Sequence, residues 1–188
     1  MKRKMTICAL LIACLTLAGL STYAYFTDDA TARNVITAGN LKIELQEMSI
    51  PVDGGDPVAF EDVVGVMPGE DVSKIVSVKN TGDKPAYVRV SVDKVLTLAE
   101  GVEGTPDQSL VTCDFNTTDW TEVEGYYYYK RPLAAGAETE PVFENVSFDP
   151  NMGNMYQNSK VVITVDAYAT QVDNNGGNVF EAQGWPEV

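Results

Sequence analysis

Leu41, Ile43 and Leu45 alternate with Lys42, Glu44 and Gln46, and Ala86, Val88, Val90 and Val92 alternate with Tyr87, Arg89, Ser91 and Asp93. Successive side chains of a strand point to opposite faces, so each segment is predicted to bury one face and wet the other. Val72 to Lys79 forms a further strand, introduced by Pro68-Gly69 and closed by Asn80-Thr81-Gly82-Asp83, residues that tolerate the positive φ of tight turns. Trp120 to Val123 and Tyr126 to Lys130 flank Glu124-Gly125, which has the length of a two-residue hairpin loop. Lys160 to Thr170 is a long β-prone run. Val52 to Pro57 and Ala99 to Gln108 read as loops, and the acidic stretch from Asp173 through Asn174-Asn175-Gly176-Gly177 as a turn or a mobile excursion. No segment of helical length carries a 3.6-residue period, so any helix is expected to be short. The pattern predicts an all-β chain, an antiparallel β-sandwich in a single domain.

The N-terminus departs from this pattern. Lys2, Arg3 and Lys4 precede an uncharged run from Met5 to Leu20, the form of a signal peptide. The run falls short of the roughly 20 apolar residues that a spanning helix needs. Thr22 and Ala24 supply small side chains at the −3 and −1 positions, which places the cut before Tyr25; a cut after Ala18, with Thr16 at −3, is the alternative. Leu11-Ile12-Ala13-Cys14 also has the form of a lipobox, although apolar residues continue past it to Leu20. The expected organisation is a signal peptide over 1–24, an extended segment over 25–40, the sandwich over 41–172 and an acidic turn or tail over 173–188.

Cutting after Ala24 leaves 164 residues with 27 acidic against 10 basic side chains, a net charge of −17. That length suffices for one sizeable core. The charge repels phosphate backbones and anionic lipid heads, which excludes nucleic acid as a partner, and no stable membrane span is expected after cleavage. Cys113 is the one cysteine left, so no intramolecular disulfide forms and the thiol is expected to fill core space.

Several motifs together resemble one family. The stretch Thr22-Tyr-Ala-Tyr-Phe-Thr-Asp28, followed by Asn34-Val-Ile-Thr-Ala-Gly-Asn-Leu41, resembles the cleavage junction of proteins exported through a SipW-type signal peptidase. Met67-Pro-Gly-Glu70, Val78-Lys-Asn-Thr-Gly82, Gly125-Tyr-Tyr-Tyr-Tyr-Lys130, Tyr156-Gln-Asn-Ser159 and Ala167-Tyr-Ala-Thr-Gln171 follow in the order of the TasA/camelysin family. The resemblance implies a jelly-roll-like sandwich, secretion to the cell surface or biofilm matrix of a Gram-positive bacterium, and assembly into extracellular fibres. For some members it also implies subunits joined by an N-terminal donor strand. The chain departs in ending on Gly184-Trp-Pro-Glu-Val188 and in being shorter than the best-known matrix subunit.

The resemblance also carries a metallopeptidase reading, which the residues oppose. With no histidine anywhere in the chain, a His-x-x-x-His zinc helix, a Ser/His/Asp triad and a Cys/His dyad are all excluded. No catalytic residue and no resident metal is expected. Calcium is the one cofactor that the acidic loops Asp53, Asp56, Glu61, Asp62 and Asp173, Asn174, Asn175 admit, since all-oxygen donors suit it better than zinc. Asn80-Thr81-Gly82 resembles the Asp-Thr-Gly of aspartic proteases but lacks the acid, and reads as a turn. Of Tyr126 to Tyr129, two rings are expected in the core and two on the surface rather than one sugar-stacking platform.

The remaining candidate activity is assembly. Tyr25 to Ala38 carries Tyr25, Phe26, Val35 and Ile36 among small and polar residues. It can add to a sheet edge of its own domain or to that of the next subunit, and the sequence leaves both open. Strand addition to a second copy, giving a head-to-tail homopolymer or a mixed fibre with related subunits, is the favoured function. A monomeric surface adhesin comes second and a peptidase third.

Overall fold

The alternating segments become the central strands of two sheets. The computed structural model describes residues 33–37, 41–63 and 66–186, with the backbone alone over 33–37. The strands are β1 (Arg33–Thr37), β2 (Ile43–Ser49), β3 (Val58–Ala59), β4 (Asp71–Asn80), β5 (Ala86–Thr97), β6 (Val111–Cys113), β7 (Trp120–Val123), β8 (Tyr126–Tyr129), β9 (Phe143–Phe148) and β10 (Lys160–Gln171). One sheet has the order β1-β10-β5-β8-β7 and the other β3-β2-β4-β9-β6. Every pairing is antiparallel except β1 with β10, which is parallel. The expected all-β sandwich is therefore the observed one, and among the described residues helical content is confined to 3-10 turns at Gln108–Leu110 and Asn154–Tyr156. No helix among the described residues is long and apolar enough to cross a membrane.

One core joins the two sheets. Leu41, Ile43, Leu45, Val76, Val78, Phe143 and Val146 come from one side, and Val88, Val90, Leu96, Trp120, Tyr129, Val165 and Ala167 from the other. Each fully buried side chain of this size stabilises the fold by about 1.5–3 kcal/mol. Trp120 is sealed, and its Nε1–H donates to the Glu140 carbonyl at 3.0 Å, so no polar group is left unpaired by its burial.

Turn chemistry matches the sequence reading in one place and corrects it in another. Glu124 and Gly125 both adopt positive φ, 51° and 81°, as the two-residue β7–β8 loop requires. Gly82 does not. A Cβ there would lie 3.1 Å from the Lys42 nitrogen, because the N–H groups of Thr81 and Gly82 both donate to the Lys42 carbonyl. Close backbone approach, not φ, is what crowds a side chain at this position. Asn80 locks the turn from within: fully buried, it donates to the carbonyls of Lys84 and Leu133 and accepts from the Gly82 N–H.

The C-terminal stretch is a turn, and it is docked. The Asn175 amide donates to the carbonyls of Gln171 and Gln183, and its oxygen accepts from the Gln183 N–H. This return lays Val179 and Ala182 on Tyr87, whose outward-facing ring is thereby buried. Composition alone suggests a mobile excursion because the apolar anchors are few and widely spaced.

Candidate functional site

Position in the sheet makes β1 the first candidate. β10 is twelve residues long and pairs with β5 throughout, whereas β1 covers five of them, from Val165 to Ala169. The outer edge of β10 is therefore only partly satisfied by the described residues, and such an edge accepts strands. Of the two pairings open to the N-terminal segment, the one within its own domain is formed over Arg33–Thr37. The register sets Val35 opposite Ala167, a fully buried core position, and Ile36 opposite Tyr168. The two expected anchors thus occupy successive register positions of one strand. Thr22, Ala24, Tyr25 and Phe26 lie outside the described residues.

The interior holds charge that the sequence reading passed over. Lys74 Nζ lies 2.8 Å from Glu47 Oε1, with side-chain exposures of 3% and 1%, and the Phe60 ring covers the ammonium at 3.9 Å. A signal was present: Glu47 continues the inward parity of Ile43 and Leu45, and Lys74 that of Val76 and Val78. Opposite charges at inward positions of neighbouring strands announce a buried pair.

Cys113 packs against the core, and burial pushes its thiol up to about 11 despite the nearby Lys94 and Lys74 ammonium groups. Only the thiolate is nucleophilic. Raised from an ordinary value of 9.0, the group is expected to react with iodoacetamide at pH 8 about 100-fold more slowly than a free thiol, a rate read directly by mass spectrometry. Equal rates would show the thiol to be exposed.

The tyrosine run divides by parity. Tyr127 and Tyr129 join the core, Tyr127 stacking on Phe115 at 4.2 Å, and burial pushes the Tyr127 hydroxyl up to about 12. Tyr126 and Tyr128 take the outer face with Arg89, whose guanidinium sits 4.0 Å from the Tyr126 ring and 4.7 Å from that of Trp185. Arg89 Nη1 donates to the Tyr128 hydroxyl at 3.0 Å, while its buried Nε has no hydrogen-bond partner among the described residues. These rings pack against one another and on Arg89, so they present no flat platform.

The acidic groups stay dispersed. Asp53, Asp56, Glu61 and Asp62 are all exposed, the Asn175 amide is held within its turn, and Asp114 accepts from Glu144 and Asn145. Burial draws the Asp114 carboxyl up, but the N–H donors of Asn145 and Glu144 outweigh it and hold the group below the usual range. A hollow of about 360 Å³ beside β4, β6 and β9 has a mixed lining, with Asp71, Thr112 and Asp149 next to Leu110, Phe148 and Pro150. Among the described residues no three His, Cys, Asp or Glu side chains converge as metal ligands would.

The family described as camelysin metallo-endopeptidase has a sequence model that matches residues 1–100, a span that ends just beyond β5. No curated protein and no solved structure matches the chain. A peptidase zinc is held by histidine and carboxylate with one coordination position open. With no histidine in the sequence and no converging carboxylates among the described residues, the groups present do not fit such a metal. No hydrolytic step is assigned to them.

Proposed function

From the premise that the chain belongs to the camelysin metallo-endopeptidase family, we propose a secreted, non-enzymatic structural role, as a subunit or accessory of extracellular fibres that grow by exchanging β1 between copies. The observation that carries this reading is the edge position of β1 in parallel register on β10. β1 is five residues long and is followed by β2 in the opposite sheet after 38–42. An edge strand of that length can leave its slot and enter the same slot of a neighbour with the same register. Each pairing broken within a chain is remade between chains, so exchange changes little free energy per subunit and protein concentration decides the outcome. Each main-chain hydrogen bond remade contributes about 0.5–1.5 kcal/mol, and each well-buried apolar side chain about 1.5–3.

Export through a SipW-type signal peptidase, with cleavage before Tyr25, supplies the free N-terminus that exchange needs. A net charge of −17 then keeps free subunits apart at low ionic strength, and screening within about 10 Å at 0.1 M salt lets them approach. Polymerisation should accordingly quicken with salt.

The test uses the processed chain carrying Val35→Cys and Ala167→Cys in a Cys113→Ser background. Filaments seen by negative stain and then oxidised should resolve as a ladder of covalently linked subunits on denaturing gels. Absence of filaments, or filaments containing only internally closed monomers, would place assembly on another face or dismiss it. Homogeneous protein should leave casein intact with or without chelator. Turnover lost on changing one carboxylate would restore the peptidase reading.

A further inference from the structure

The connection from β2 to β4 is long, and β3 is its one regular element among the described residues. Isolated exposed apolar residues are ordinary on a soluble protein. Here five of the ten exposed large apolar side chains of the described residues fall in this connection: Ile50, Val52, Val58, Val63 and Met67, at 50%, 106%, 49%, 52% and 62% exposure. The arm is nevertheless anchored. Phe60 covers Lys74, the Phe60 N–H donates to the Glu47 carbonyl at 3.0 Å, and the Ile50 N–H donates to Ser73 Oγ at 3.0 Å. The backbone is thus tied down at Ile50 and at Phe60, on either side of Val52 and Val58.

Charge selects what can cover them. Asp53, Asp56, Glu61, Asp62, Glu70 and Asp71 are all exposed, and no lysine or arginine occurs from Ile50 to Ser73. A second copy would bring the same unbroken negative field, so this surface disfavours self-contact. Beside it lies an edge that the described residues pair only in part. β3 covers only Met48 and Ser49 of β2, which leaves Ile43 to Gln46 without a strand on that side among the described residues.

We infer that this arm is a docking site for a cationic, apolar, extended segment of a different protein, which adds along the β3–β2 edge. Main-chain pairing there supplies register, alternate apolar residues of the partner cover Val52 and Val58, and its lysines or arginines face the carboxylates. This site lies in the opposite sheet from β1 and β10.

The probes are two synthetic strand peptides, one alternating valine with lysine and one alternating valine with glutamate, titrated against the full processed chain by calorimetry. The lysine peptide should bind and the glutamate peptide should not, with hydrogen-exchange protection confined to residues 43–59. Val52→Ser/Val58→Ser, which keeps every charge, and Asp53→Asn/Asp56→Asn, which keeps every apolar contact, should each weaken binding at least about 10-fold. All four positions are exposed, so the circular dichroism spectrum should not change. Failure of the lysine peptide to bind overturns the inference. So does undiminished binding to the serine variant, which would reveal a general polyanion effect, or protection elsewhere on the sandwich.

Discussion

Lys74→Met is expected to lower the unfolding free energy by about 3–5 kcal/mol, because it removes the ammonium paired with the buried Glu47 carboxylate. Glu47 is 2% exposed, and its Oε1 lies 2.8 Å from Lys74 Nζ. Removing one member of a buried ion pair leaves the desolvation cost of the other less well offset. Glu47→Leu combined with Lys74→Met should recover most of the loss, since a pair of apolar residues of similar volume carries no such cost. Urea unfolding of the two single variants and the double variant measures this as a coupling energy. If the double variant is as unstable as the sum of the singles, the pair is not acting as a unit. Phe60 loses its cation in the same substitutions, a smaller effect of about 0.5–2 kcal/mol.

Truncation after Val172 should cost about 2–4 kcal/mol and leave a folded but weakened sandwich. The removed segment contributes Val179 and Ala182, both buried on Tyr87, and Trp185, which packs on Tyr128 and Arg89. Its loss exposes the Tyr87 ring on the outer face of β5, where the intact chain leaves it 3% exposed. Thermal melts report the stability. In a Trp120→Phe background, Trp185 emission reports the docked state before truncation, and Trp185→Ala should reproduce part of the loss. Unchanged melting after truncation would show that the turn rides on the sheet without supporting it.

The layers of the sandwich follow from local pattern. Period-two alternation over 41–45 and 86–93, β-branched runs over 72–79 and 160–170, and the Glu124-Gly125 turn all correspond to observed strands and loops, because side-chain parity and turn dihedrals are local properties. The run of four tyrosines divides between core and surface for the same reason. Absence of histidine likewise needs no coordinates to exclude the catalytic constellations built on it. β9, the two-residue β3 and the parallel placement of β1 were not legible, since strand pairing joins residues far apart in the chain and leaves no local period. Three further features emerge only once the chain is folded: Val35 and Ile36 pair in register with Ala167 and Tyr168, Gly82 is crowded by the Lys42 backbone, and the acidic C-terminal turn covers Tyr87. The gathering of exposed apolar residues on one arm is of the same kind. Burial depends on what a distant segment brings to the same point in space, and a one-dimensional pattern carries no record of that meeting.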